Sequence, residues 1–147
     1  MDKHEEKALK NIEKHGCHIL HVMEDHAEPS FTYSIGIEQC TSKPDVIVTG
    51  LDRDISHFLI NEYNHRIKDG ETFEADKLYG DFLEGFQVTF KEVAKRHYPD
   101  YLGWGNWLYK CDDFNVLHLI WPDQDGAWPW EKKASKEYRR LSPVLYK

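Results

Sequence analysis

The sequence predicts one α+β domain, a mostly antiparallel sheet of barrel-like or half-open form flanked by two or three helices. Three observations lead there. FTYSIGI (31–37) and FQVTFKEV (86–93) alternate apolar and polar residues, the period of a strand. Residues 52–69 keep Ile55, Phe58, Leu59, Tyr63 and Ile67 at helical spacing. The order along the chain is helix, three strands, helix, strand, helix-like segment, strand. A chain of 147 residues fits one domain and buries about two thirds of its unfolded surface, so it needs no covalent staple.

Each element has its own signal. Residues 2–15 form a helix with a narrow stripe of Ala8, Leu9 and Ile12, and Gly16 sits where a C-terminal cap belongs. CHILHVM (17–23) is a strand that is apolar on both faces. The loop EDHAEPS leads to FTYSIGI, with Phe31, Tyr33, Ile35 and Ile37 on one face and Thr32, Ser34 and Gly36 on the other. Gly36 inside a strand signals a bulge or a close backbone approach. VIVTGL (46–51) is short and buried. The helix over 52–69 takes its start cap from Asp52 or Asp54 and its stop from Gly70. A polar stretch runs to about Gly85, and FQVTFKEV follows. Residues 95–110 are mixed, with a helix around 100–110 weakened by Gly103 and Gly105. NVLHLIW (115–121) is a buried strand, and the tail holds a helical turn before Pro143.

Composition excludes several classes. The net charge of -7 argues against nucleic acid, which needs clustered Lys and Arg, and fits a basic partner. The KRHY run before the aromatic GWGNW (103–107) is too short for a nucleic-acid groove. No apolar run approaches the ~20 residues that span a bilayer, and the N-terminus has no apolar signal segment. Three widely spaced cysteines point to a reduced, cytoplasmic chain. Cys17 and Cys111 are expected to be buried and inert rather than nucleophilic. No phosphate-cradling glycine loop and no nucleophile elbow is present, so no cofactor is predicted.

Nine histidines invite a metal, yet none is predicted. His18 and His21 lie three apart on a strand and should face opposite ways, and no spacing matches a zinc pattern. His57 and His65, with Asn61 between them, read as a polar helix face. His118 in an apolar strand reads as a satisfied core histidine.

The segment WPDQDGAWPW (121–130) is the densest in chemistry. Pro122 stops strand pairing after Trp121, DQDG is a turn, and Pro129 holds Trp128 extended. The result is a stiff aromatic corner in which Asp123 and Asp125 satisfy turn amides. A shallow aromatic pocket with carboxylates at its rim is the functional alternative. A calcium loop fails on register, because Gly126 in its glycine place would put Trp121 first and Lys132 last.

IEKHGCHILHV, FTYSIGI, KPDVIVTGL and WPDQDGAWPW together resemble the bacterial family known as domain of unknown function 4262. The likeness runs from His15 to Trp130. It covers His15, Gly16, Tyr33, Gly36, Pro44, Asp45 and Gly50, then Trp121, Pro122, Asp123, Gly126, Pro129 and Trp130. Cys17, Ile37 and Asp45 depart mildly from the residues usual in that family. The resemblance implies no activity.

The functional expectation is a non-enzymatic, cytoplasmic binding protein, of immunity or antitoxin type, for a basic toxin domain. The alternative is a small-ligand binder or enzyme. Its site would gather His15, Tyr33, Asp45, Trp121, Asp123 and Trp130, with the histidine as acid or base and an aspartate orienting it. In a third reading the same residues simply build the fold.

Overall fold

The computed structural model describes residues 1–147, and its first helix begins where the sequence offers a cap. Asp2 accepts from the Glu5 amide at 2.8 Å and Glu5 reaches back to the Asp2 amide at 3.1 Å, a capping box that starts α1 (Lys3–His15). Gly16 ends it in the left-handed conformation. Ala8 and Ile12 are buried, whereas Leu9 is exposed.

The strands are β1 (His18–Val22), β2 (Phe31–Ile35), β3 (Asp45–Thr49), β4 (Leu78–Leu83), β5 (Phe86–Glu92) and β6 (Val116–Ile120). They form one six-stranded sheet in the order β1-β2-β3-β6-β5-β4. All pairs are antiparallel except β3 and β6. The sheet is open. β1 and β4 are its two edges and do not pair with each other, so the expected barrel-like closure does not occur. Helices and the tail cover the faces instead.

β2, β3 and β6 are buried along their whole length, as central strands must be when both faces are covered. On one face Val46, Val48, Leu117, Leu119, Val88 and Phe90 pack against α3 (Arg53–Lys68). On the other, Phe31, Tyr33, Ile35, Ile47 and Val116 pack against Ala8 and Ile12 of α1 and against Tyr98, Tyr101 and Leu102. Asp52 caps α3 by accepting from the Ile55 amide at 2.8 Å.

The buried stripe of α3 differs from the apolar stripe read in sequence. Leu59, Tyr63 and Ile67 are buried as expected, but Ser56, Ile60 and Asn64 join them, while Ile55 and Phe58 stay exposed. Two elements were illegible. Gly36, at φ 98°, ends β2 and turns the chain into a short helix, α2 (Ile37–Thr41), so Ile37 is not a strand residue. β4 hides in a polar stretch because Asp81 is at φ 68° and the ladder is irregular between Tyr79 and Leu83, which breaks alternation. The helix expected around 100–110 divides into α4 (Tyr98–Tyr101) and α5 (Gly103–Tyr109) at Leu102. Gly105 is needed there, since a Cβ would stand 2.6 Å from the Phe114 ring. α6 (Lys136–Leu141) precedes Pro143 as expected.

Candidate functional site

The corner after β6 is built as its chemistry demands. Asp123 accepts from the amides of Asp125 at 2.9 Å and Ala127 at 2.8 Å, and Gly126 takes the left-handed turn position. The Trp121 indole donates to the Thr49 carbonyl at 3.0 Å and meets the Tyr138 ring edge-on at 5.1 Å. Trp128 and Trp130 stack 5.7 Å apart, with the Lys91 ammonium 4.9 Å from the Trp130 ring. The corner does not make one aromatic pocket. Trp121 and Asp123 border an open hollow with Tyr138, whereas Trp130 borders a different hollow with Arg139 and Tyr146.

At the opposite end of β3, Asp45 is fully buried. It accepts from Ser34 Oγ at 2.8 Å, the Ile37 amide at 3.0 Å and the Tyr109 hydroxyl at 2.7 Å. Tyr109 in turn accepts from the Gly36 amide at 3.1 Å. The carboxyl therefore pins the β2–α2 turn to β3 and α5. Burial pushes its pKa up to about 6 despite these donors. Tyr33 is buried too, its hydroxyl accepting from the Trp104 amide at 3.1 Å, and burial raises its pKa to about 12.

His15 lies at the end of α1, where its backbone carbonyl accepts from Asn64 Nδ2 at 3.0 Å and from the Lys68 ammonium. Thus His15, the Trp121–Asp123 pair and Trp130 face three separate hollows, and Tyr33 and Asp45 are engaged in the interior. The constellation of an acid–base histidine oriented by an aspartate is not assembled. His118 is buried as expected, with Nε2 3.1 Å from Thr49 Oγ1, but its Nδ1 has no partner. Burial lowers its pKa to about 3. Cys17 is buried and its thiol is pushed up to about 12, whereas Cys111 is exposed, against expectation, because it sits in the loop after α5. No group of three or more His, Cys, Asp or Glu side chains is placed to hold a metal ion.

Two concavities flank α3, and sequence reading missed both. One is a groove of about 920 Å³ between the first turns of α3 and the β4–β5 hairpin. Phe58 (57% exposed), Ile55 (39%) and Phe86 (39%) line it over the buried Phe82. Its charged residues are Asp54, Asp81 and Glu84, none of which is in an ion pair. Arg66 stacks 4.4 Å from Phe82 beside this groove and is committed to Glu71 and the Gly80 carbonyl. The other groove, about 380 Å³, runs along the β1 edge between α1 and the opposite shoulder of α3. A signal existed in sequence: Ile55 and Phe58 lie at the margin of a stripe wider than one buried face needs.

A family model described as domain of unknown function (DUF4262) matches residues 11–135. The chain belongs to this family. No curated protein and no solved structure matches it. Several marker residues of this DUF4262 chain do architectural work. Gly16, Gly36, Gly50 and Gly126 all have positive φ, and a Cβ on Gly50 would stand 2.4 Å from the Leu141 carbonyl. Pro44 offers its carbonyl to the Tyr63 hydroxyl at 2.7 Å.

Proposed function

We propose that this DUF4262 chain is a non-enzymatic protein-binding protein of the bacterial cytoplasm, an immunity- or antitoxin-type partner of a basic toxin domain. The observation that carries this reading is the groove between α3 and the β4–β5 hairpin. Exposed aromatic and aliphatic side chains gather there beneath a rim that is only acidic. Apolar anchors of this kind supply hot-spot energy, and unpaired carboxylates steer and orient a cationic partner. The net charge of -7 extends the attraction to longer range. The partner segment that fits is amphipathic, with apolar side chains for Phe58 and Phe86 and Lys or Arg for Asp54, Asp81 and Glu84.

The test is binding of the products of adjacent genes in the source genome, measured by calorimetry with the purified full chain. Binding at micromolar concentration or tighter is expected, weakened about tenfold by Phe58→Ser. Absence of any partner at that concentration, or binding indifferent to Phe58→Ser, overturns the reading.

A further inference from the structure

The groove along the β1 edge has the opposite character. Its lining includes Lys7 and His15 from α1, His18 and His21 from β1, and Arg53 and His57 from α3. Asn11 and Asn61 add two amides, and no carboxylate lines it. In a chain of net charge -7, six cationic or protonatable side chains converge on one concavity. We propose that this groove binds a small phosphorylated molecule, a phosphate monoester, through Lys7, Arg53 and the surrounding imidazoles.

Three features carry the assignment. First, charge: Lys7 and Arg53 supply two fixed positive charges, matching the charge of about −1.5 to −2 on a phosphate monoester at pH 7. Arg53 offers the planar fork that suits phosphate oxygens. Second, donors: Asn11 Nδ2 lies 2.9 Å from His18 Nδ1 and donates to it, leaving the His18 proton on Nε2 as a donor. His21 Nδ1 is likewise engaged, 2.6 Å from Thr32 Oγ1. Third, mutual repulsion among the groove's own groups: His18 is held below its usual pKa by burial and then by Lys7 and His57. His21 is held down by burial and then Arg53, with Asp52 opposing. His57 is held down by burial, Arg53 and His21, with Asp54 opposing. Lys68 closes the α1 end by donating to the His15 carbonyl, and Cys17 beneath is a buried thiol. A bound dianion relieves that repulsion, so binding and imidazole protonation must reinforce each other.

The experiment titrates the full chain with inorganic phosphate and, separately, with glycerol phosphate at constant ionic strength, following the histidine ring resonances by NMR. Saturable shifts confined to the groove histidines are expected, with a dissociation constant on the order of 1 mM or tighter. Affinity, expressed per concentration of the dianion because the second ionisation of a phosphate monoester lies near about 6, should rise from pH 8 to pH 6.5, and saturation should raise the pKa of His18, His21 and His57. Lys7→Gln and Arg53→Gln, both exposed positions, should each weaken binding about tenfold with unchanged thermal unfolding. Equal affinity for both probes supports recognition of the phosphate group alone; tighter glycerol phosphate supports contact with the ester as well. The proposal is overturned if sodium chloride of equal ionic strength gives the same shifts. It is equally overturned if Arg53→Gln and Lys7→Gln bind like the parent, or if the histidines answer only a divalent cation.

Discussion

The two grooves beside α3 share a helix and differ in everything else. Asp54, Ile55 and Phe58 face the β4–β5 hairpin, while Arg53, His57 and Asn61, four apart on one side of the helix, face β1. Between these shoulders runs the buried stripe that includes Leu59, Ile60 and Tyr63. One groove is apolar and acid-rimmed, and the other is polar and cationic. The lesson is that a helix only half covered by its sheet keeps two margins, and each can take its own chemistry. The net charge hides this, because -7 describes the sum and not the two sides.

The largest expected effect separates the floors of the grooves. Phe82 touches Phe73 and Phe90, at centroid distances of 5.4 and 6.0 Å, under the apolar groove. Phe82→Ala should cost about 3–5 kcal/mol in urea unfolding. Cys17, the buried floor of the cationic groove, should cost only about 1 kcal/mol as Cys17→Ala. Equal costs would mean that the hairpin is not part of the core.

The next effect lies in the interior that both grooves rest on. Burial raises Asp45 to about 6, so its contribution to stability is full below the ordinary 3.8 and is lost as pH rises through 6. That span corresponds to about 3 kcal/mol. His118 runs the other way, since its lowered pKa contributes above 6.5 and is lost as pH falls toward 3. Asp45→Asn should therefore lose stability more steeply than the parent between pH 6 and pH 4 by urea unfolding. Matching slopes would refute the assignment of the buried carboxyl.

A smaller effect tests whether the shoulders are independent. Phe58→Ser should weaken partner binding about tenfold, or about 1.4 kcal/mol, while Arg53→Gln leaves it within about twofold. Equal losses would merge the two grooves into one surface. The smallest check is chemical. A thiol reagent should label Cys40 and Cys111 in the native protein and reach Cys17 only after unfolding. Native labelling of Cys17 would show that the cationic groove opens to its floor.

Much of the fold was legible because its signals are local. Periodicity revealed β2, β5 and α3, and turn chemistry revealed the Trp121–Trp130 corner down to the role of Asp123. β4 was not legible, because Asp81 adopts positive φ inside it and spoils the alternation. The grouping of His15, Tyr33, Asp45 and Asp123 did not form, because marker residues shared with a family include those that only hold turns. Asp45 and Trp121 lie at opposite ends of the parallel β3–β6 pair, whose register joins Asp45 to Val116 and leads on toward Trp121.

The sequence by itself determined the class of the domain, its caps and corners, its acidic balance and its family, since all of these depend on residue type and near spacing. Only the tertiary structure decided that the sheet stays open, which face of α3 is buried and which side chains meet across distance. Lys7, His18 and His57 become neighbours because α1 and α3 flank the free β1 edge. No periodicity along one segment encodes that meeting, because it depends on how separate elements pack.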